Sequence, residues 1–333
     1  MGSDMSGQLI DGNGRIIEYL RVSVTDRCNL RCTYCMPPSG VEVKPRCDIL
    51  RYKDLLRLIE IFAGIGIRKV RLTGGEPLIR KGITGFIDQI NHIPGIEQIT
   101  LTTNGVALGK MATPLINAGV TKVNISLDSL DRAKYKHITG ADELLRALDG
   151  IQAATGAGFE SVKINMVVMK GVNDDEIEKF VDLTRSMKIQ VRFLEFMPAT
   201  PSVWSDEKFI PITEVREQVY EIEKLVPCAK EQWSGPAKVY KFDGALGEIG
   251  FIAAVTSHFC GDCNRLRLTS SGELVNCLFN RERMDLKSML MAGASNAEIE
   301  ETIRLTVKGK NAIRVLPTHA NNELSQNMSA IGG

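Results

Sequence analysis

The chain has 333 residues, of which 44% are hydrophobic and 24% are charged. A chain of this size and composition can bury a large core, divided between one large and one small domain, and this excludes a disordered protein. Its 41 basic and 40 acidic residues leave a net charge of +1, so no general basic field indicates a nucleic-acid partner.

The sequence also lacks the features of a membrane or secreted protein. The first twenty residues are polar, and no apolar run approaches the ~18 residues needed to cross a bilayer. The eight cysteines of a long intracellular chain are more often metal ligands than disulfides. We therefore expect a cytoplasmic protein with no membrane partner, in which any anion site is local.

Short β-branched segments alternate with amphipathic helical segments from about residue 15 to 200, as in repeated strand–helix units around a parallel sheet. Strands are predicted at about 16–25, 69–73, 98–103, 122–128, 161–169 and 190–196. Helical spacing predicts a helix around 55–62, and Asn173 with Glu176 predicts a capping box at a later helix start. The expected fold class is α/β, a partial six-unit barrel of the TIM type, with functional residues at the carboxyl ends of its strands.

The loop after the first strand contains Cys28, Cys32 and Cys35 with the spacing Cys-x3-Cys-x2-Cys. Because a four-iron cluster normally takes four thiolates, three from one tight loop predict a cluster with one iron open to another ligand. Structural zinc more often uses two Cys-x2-Cys arms separated by a longer insert. Three structural thiols or an incomplete zinc knuckle is the alternative, although no fourth ligand lies nearby.

The second predicted strand ends in Thr73-Gly74-Gly75-Glu76-Pro77. Adjacent glycines let a backbone approach a ligand closely, and the proline stops further strand pairing. A tight turn without a ligand would explain the glycines equally well.

Basic side chains interrupt strands that are otherwise apolar. Burying an unpaired charge costs several kcal/mol, so such residues normally need an anion or a carboxylate partner. If they converge inside the barrel, they would suit a polyphosphate, whereas each alone could be a strand-edge cation that reaches solvent. These residues are Arg21, Lys69, Arg71, Lys163 and Arg192, of which Lys69 and Arg71 share a face.

The alternation stops near residue 200, where residues 198–202 predict a linker into a smaller α+β domain. There Cys260 and Cys263 form a Cys-x2-Cys pair, and Cys277 follows a hairpin. Zinc with His258 as a fourth ligand is an alternative, although His258 lies only two residues from Cys260. The expected domains are the barrel at 15–200, a domain with a second metal site at 205–320, and a tail at 321–333.

The first cysteine loop and the Gly-Gly-Glu-Pro stretch resemble motifs of the radical S-adenosylmethionine superfamily. The resemblance implies a [4Fe–4S] cluster on the first three cysteines, with S-adenosylmethionine on its open iron. An electron from the cluster then releases a 5′-deoxyadenosyl radical that removes hydrogen from the substrate. The implied S-adenosylmethionine contacts are Tyr34, Gly75, Ser126 and Met197. Without the family, Ser126 would be interpreted as a polar sheet end and Met197 as a core residue.

From Tyr19 to the terminal Gly332-Gly333, the chain resembles the radical enzymes that cyclise GTP at the start of molybdenum cofactor biosynthesis. The resemblance implies a lyase that takes hydrogen from C3′ of GTP and joins C3′ to C8. A second [4Fe–4S] cluster on Cys260, Cys263 and Cys277 would contact the guanine, and Gly332 and Gly333 would support catalysis. The implied GTP contacts are Arg21, Lys69, Arg71, Thr102, Lys163, Arg192, Arg265, Leu266 and Arg267.

The same resemblance implies an electron donor for the clusters and a downstream cyclic pyranopterin monophosphate synthase as partners, and it leaves a homodimer open. One alternative is a peptide-modifying enzyme of the same superfamily, whose substrate would need no triphosphate cage. Another is an iron–sulfur electron carrier or zinc-stabilised binding module, which would leave the large barrel unexplained. Dehydrogenase and kinase functions are disfavoured, because no Gly-x-Gly-x-x-Gly follows a strand and no Walker loop is present.

Overall fold

A computed structural model describes residues 7–36, 43–198, 203–229, 233, 235–257, 259–279 and 282–310. The described strands are β1 Tyr19–Ser23, β2 Lys69–Thr73, β3 Gln98–Thr103, β4 Val120–Ser126, β5 Ser161–Val168, β6 Gln190–Glu195, β7 Val226–Pro227, β8 Lys238–Lys241, β9 Glu248–Ile252, β10 Arg265–Leu268, β11 Glu273–Val275 and β12 Met284–Asp285. They form one sheet of twelve strands in the order β12-β11-β10-β1-β2-β3-β4-β5-β6-β9-β8-β7. The expected α/β class is confirmed, with a mixed sheet.

The first six strands match the predicted ones and pair in chain order, all parallel. Strand β1 is shorter than the predicted 16–25, and β4 begins two residues before the predicted 122. Both differences lie at strand ends, where the sequence pattern is least decisive.

Helices follow the parallel strands and bury their apolar stripes against the sheet. The predicted helix around 55–62 lies within the first of them, where Leu55, Leu58 and Phe62 have no exposed surface. The described helices are α1 Tyr52–Gly64, α2 Ile83–Asn91, α3 Leu108–Asn117, α4 Arg132–Thr139, α5 Leu144–Ala157, α6 Ile177–Ser186, α7 Ile212–Ile222, α8 Leu286–Met291 and α9 Asn296–Lys308. None of these helices is both long enough and apolar enough to span a membrane.

The predicted capping box of Asn173 and Glu176 is wrong. The Asn173 amide donates to the carbonyl oxygens of Asp128 and Val167, at 2.8 and 2.9 Å. The Glu176 carboxylate accepts a hydrogen bond of 2.7 Å from the Ser129 hydroxyl. Because both side chains are fully buried and already bonded across the fold, neither caps the helix start that they flank.

The strands after residue 203 extend the same sheet at both of its edges. Strand β10 pairs parallel with β1, and β9 pairs parallel with β6. Antiparallel strands continue outward from each, with β11 and β12 beyond β10 and with β8 and β7 beyond β9. The part of the chain after residue 203 therefore extends the sheet formed by β1–β6 at both edges.

Candidate active site

One face of the central sheet carries basic side chains where buried parallel strands are usually apolar on both faces. In the register of the sheet, Arg21 on β1 lies between Arg71 on β2 and Arg267 on β10. Tyr19 occupies the same face two residues earlier and pairs with Lys69 and Arg265. The strand cations and the two arginines after the second cysteine pair thus share one surface.

The arginines of this surface are close enough to disfavour each other's charge. Burial lowers the pKa of Arg21 well below its usual value, and Arg267 lowers it further. Burial, followed by Arg265, lowers the pKa of Arg267 to about 10. An anion bound at this surface would relieve that repulsion. A cluster of arginines of this kind is suited to binding a polyphosphate.

Lys69 belongs to the same cluster of charges. Its ammonium donates to the Trp233 carbonyl at 3.0 Å and lies 4.9 Å from the centre of the Tyr19 ring. Burial, together with the neighbouring cations Arg71 and Lys163, lowers the pKa of Lys69 to about 6. Lys69 is therefore largely neutral near pH 7 unless an anion raises its pKa.

A cavity of about 590 Å³ adjoins these residues. Lys163 on β5 and Arg192 on β6 line it together with Tyr19, Cys263 and Arg265. Four strands separate β5 from β10 in the sheet. Since residues of both strands reach one cavity, the sheet curves around it and brings the second cysteine group to the strand cations.

Several buried polar atoms on this face have no hydrogen-bond partner among the described residues. They are Oγ1 of Thr102, Oε1 of Gln98, and the Oδ1 atoms of Asn124 and Asn165. Buried polar groups are normally satisfied, so orphaned ones indicate a bound ligand or water. Thr102 was predicted here, whereas the other three were missed, although each is a polar residue in an apolar strand.

The first cysteine loop turns back on itself after β1. The backbone N–H of Cys35 donates to the Cys32 carbonyl at 3.0 Å, and the Leu30 N–H lies 3.4 Å from Sγ of Cys28. Burial raises the pKa of the Cys32 thiol well above its usual value, and Asp128 and the other two cysteines raise it further. Thiolates crowded in this way need a compensating positive charge, and ligated iron supplies one.

Tyr34 is fixed within the same loop. Its hydroxyl donates to the Asp128 carboxylate at 2.8 Å, and the Val167 N–H donates to the other oxygen of that carboxylate at 2.8 Å. Burial raises the pKa of Asp128 to about 6. The aromatic ring next to the third cysteine is thus held by two neighbouring strands.

The predicted cofactor contact Gly75 packs directly against the cysteine loop. A Cβ atom at Gly75 would overlap the carbonyl oxygen of Arg27, so no other residue fits there without movement. The other two predicted contacts, Ser126 at the end of β4 and Met197 just beyond β6, are both half-buried. The carboxyl ends of the strands therefore bring these residues to the side of the sheet where the cysteine loop lies.

The second cysteine group contains the same local turn as the first. The Cys263 N–H donates to the Cys260 carbonyl at 3.2 Å. The carbonyl of Asn264, the residue after Cys263, accepts a hydrogen bond of 3.3 Å from the Tyr19 N–H on β1. Burial alone would raise the pKa of the Cys263 thiol, but Arg265 and Lys310 outweigh it and lower the pKa to about 7. A readily ionised thiol is suited to metal ligation.

One predicted contact faces away from this surface, and three predicted residues fall outside the described part of the chain. Leu266 has no exposed surface and packs in the core opposite Leu20, so its side chain faces away from the arginines on either side of it. His258, Gly332 and Gly333 lie outside the described residues. Within the described residues, no three His, Cys, Asp or Glu side chains are placed to hold a single metal ion. The choice between zinc and a cluster therefore rests on cysteine spacing and on the comparisons with known proteins.

Two family models match the chain in succession. The model described as the radical SAM superfamily matches residues 22–184. The model described as Molybdenum Cofactor Synthesis C matches residues 189–314.

Curated relatives match across nearly the whole chain. The protein named GTP 3′,8-cyclase from Thermodesulfovibrio yellowstonii is 48% identical over 89% of this chain and 92% of its own. The protein of the same name from Geobacter sulfurreducens is 50% identical over 85% of this chain and 87% of its own. That from Syntrophomonas wolfei is 41% identical over 98% and 100%.

Among solved structures, the chain resembles Streptococcus suis SuiB bound to its precursor peptide SuiA. The TM-score is 0.59 at 16% identity, and the match covers 83% of this chain and 65% of SuiB. SuiB bound to S-adenosylmethionine gives the same TM-score and identity, with coverage of 88% and 69%. At this identity the likeness concerns the fold alone.

Proposed function

This chain belongs to the GTP 3′,8-cyclase family of the radical S-adenosylmethionine superfamily, and on that premise we propose that it converts GTP to (8S)-3′,8-cyclo-7,8-dihydroguanosine 5′-triphosphate. The reaction is the first step of molybdenum cofactor biosynthesis. As a member of the superfamily, the enzyme uses a [4Fe–4S] cluster and S-adenosylmethionine.

The observation that carries the proposal is the cavity shared by the strand cations and the second cysteine group. Lys163 and Arg192 line it from one side and Arg265 from the other, which suits the triphosphate of GTP. Cys263 lines the same cavity, so a second cluster held there would meet the guanine end of the substrate. The orphaned oxygen of Thr102 offers a further polar contact on the same face.

The cofactor would be held by the loop after β1 and by the strand ends beside it. Cys28, Cys32 and Cys35 would ligate the first cluster, and Cys260, Cys263 and Cys277 the second. The first cluster and S-adenosylmethionine would supply the radical that removes hydrogen from C3′ of GTP. The C3′ radical would then add to C8, and one electron and one proton would complete the dihydro product. The residues proposed to contact S-adenosylmethionine are Tyr34, Gly75, Ser126 and Met197.

The protein's own side chains orient the reactants and exclude water. Asp128 fixes Tyr34, so the ring that would seat the cofactor cannot turn away. Arg21, which is half-buried, and Arg267, which is buried, would draw the triphosphate onto the sheet. A buried site of this kind protects a reactive radical from competing reactions.

Other features of the proposal concern architecture and partners. The curvature that brings β5 and β10 to one cavity supports a partial barrel of six units, flanked by a C-terminal domain that carries the second cluster. The clusters require an electron donor, and the triphosphate product requires a cyclic pyranopterin monophosphate synthase that consumes it. Gly332 and Gly333 remain predicted to support catalysis.

The alternative of peptide modification has less support. The likeness to SuiB, which is bound to a precursor peptide in its structure, is one of fold at 16% identity. The arginines and lysines on this face of the sheet match the negative charge of a triphosphate. A neutral peptide would not compensate their positive charge.

The test is release of 5′-deoxyadenosine by anaerobically reconstituted protein given S-adenosylmethionine and a strong reductant. We expect release to depend on GTP, with ATP as the control nucleotide. Equal release with any nucleotide would remove GTP as the substrate while keeping the radical chemistry. No release from protein with a loaded first cluster would contradict the enzyme function.

A further inference from the structure

Lys310 lies buried beside the second cysteine group and is outside the predicted site. It is only 4% exposed, and its ammonium donates to the carbonyl oxygens of Arg265 at 3.0 Å and Asn276 at 2.5 Å. Arg265 follows Cys263 by two residues, and Asn276 immediately precedes Cys277. One ammonium therefore links the chain segments of two cysteines.

A second cation holds the remaining cysteine segment. The Arg15 guanidinium donates to the Cys260 carbonyl at 2.5 Å and is oriented by the buried Asp11 carboxylate at 2.6 Å. The Asn13 amide in the same turn donates to the Lys310 carbonyl at 2.6 Å. The turn at residues 11–15 and Lys310 thus form one hydrogen-bond network that contacts the chain segments of all three cysteines.

We propose that Lys310 and Arg15 are positioning residues that assemble Cys260, Cys263 and Cys277 into a cluster site. This inference rests on the proposed function, which assigns a second cluster to these cysteines. The three segments belong to a loop and a hairpin, and contacts from outside those elements fix their relative placement. A buried ammonium is tolerated where negative charge faces it, and ligated thiolates provide that charge.

Electrostatics agree with the geometry. Burial lowers the pKa of Lys310, and Cys263 and Cys277 oppose that lowering. The lysine charge and the thiolate charges therefore stabilise each other. A cation beside these cysteines also favours the more negative, reduced state of a cluster, so it should raise the reduction potential.

The experiment isolates the second cluster in the full-length chain with Cys28, Cys32 and Cys35 replaced by Ala. In this background we compare Lys310→Met, Lys310→Arg and Lys308→Met. Lys308 is exposed on the last turn of α9 and is the matched control. The measurements are iron and sulfide content after anaerobic reconstitution, the electron paramagnetic resonance spectrum, and the midpoint potential.

We expect about four irons per chain in the parent and in Lys308→Met. Lys310→Met should lose most of this iron, and the cluster that remains should have a more negative midpoint potential. Lys310→Arg should restore both iron content and potential, because it keeps the charge and the donors. A merely structural role would not move the potential of a loaded cluster.

Full iron content with an unchanged potential in Lys310→Met would overturn the inference while leaving the second cluster intact. A parent that binds no iron would instead defeat the proposed second cluster, and this inference with it. If Lys310→Met fails to fold, as judged by circular dichroism, the iron content of Arg15→Gln tests the inference instead. We expect Arg15→Gln to lose iron while keeping its fold, and undiminished iron there would overturn the inference.

Discussion

At the scale of single residues, the charge of Lys69 depends on what occupies the cavity. Burial, with Arg71 and Lys163 nearby, lowers its pKa to about 6, so it is largely deprotonated at pH 7.5 in the absence of ligand. A bound triphosphate favours the ammonium and raises the pKa above 7.5. GTP binding at pH 7.5 should therefore take up about one proton at this site.

Calorimetric titration of GTP in two buffers of different ionisation enthalpy measures that proton. Lys69→Met should bind GTP with about one proton less than the parent, because the titrating group is gone. Lys238→Met, which removes an exposed lysine at the rim of the same cavity, is the matched control. Equal proton uptake by Lys69→Met and the parent would show that Lys69 does not titrate with the ligand.

Arg267 offers a second test of the same surface. Hydrogen bonds to charged groups contribute about 1.5–3 kcal/mol, so Arg267→Ala should weaken GTP binding about 10- to 100-fold. The iron of the first cluster should be unchanged, because Arg267 supplies none of the three thiols of the first cysteine loop. Arg146→Ala, at an exposed position on α5, should bind GTP normally. GTP affinity unchanged by Arg267→Ala would remove this residue from the site.

Single residues could be predicted from the sequence where a charged side chain stands among apolar ones. A charge in an apolar strand is visible in the sequence, so Lys69 and Arg71 could be assigned to one face of their strand. Asn124 and Asn165 occupy the same face, but an uncharged amide is easier to bury than a charge, so the search for buried charges did not single them out. Gly75 was predicted as a cofactor contact by resemblance, whereas its packing against the Arg27 carbonyl depends on a contact between two loops.

At the scale of elements, Asn173 joins the ends of two strands to the start of α6. Its fully buried amide bonds to the backbone of Asp128, Val167 and Met169. Asn173→Ala would leave those three backbone groups without partners, each at a cost of about 1–3 kcal/mol. We expect the free energy of unfolding to fall by about 3–5 kcal/mol.

Urea unfolding of the metal-free protein, followed by circular dichroism, measures this loss. Gln152→Ala removes an exposed amide on α5 and should change the stability little. Because Asp128 also holds Tyr34, Asn173→Ala should in addition loosen the ring that would seat the cofactor. A loss below about 1 kcal/mol would mean that water satisfies the freed groups.

The central elements could be predicted because their signals are local. Alternating β-branched runs located the six central strands β1–β6, and the spacing around 55–62 located α1. The capping box failed because Asn173 and Glu176 match a local pattern while their side chains are engaged across the fold. The pairing of β9 with β6 and of β10 with β1 joins distant segments, and no short-range signal in the sequence encodes it.

At the scale of the whole molecule, the two family segments share one sheet. Strands β9 and β10 cover the edges of β6 and β1, and their apolar side chains complete the core. Ile249 and Phe251 on β9 and Leu266 and Leu268 on β10 are all buried in it. The substrate surface is likewise completed from both segments, since Arg267 on β10 lies beside Arg21 on β1.

The chain should therefore not divide into independently folding halves. A fragment of residues 7–198 keeps β1–β6 and α1–α6 but leaves the outer edges of β1 and β6 without a partner strand. Exposed edges of this kind template aggregation, so we expect the fragment alone in the insoluble fraction. Co-expression with residues 203–333 should recover soluble protein, because β9 and β10 can pair in trans with the free edges. Soluble yield and size-exclusion chromatography, with the full chain as control, measure the outcome. A soluble, monomeric fragment with a cooperative unfolding transition would show that the shared sheet is not needed for folding, and would place the role of β9 and β10 in the substrate site alone.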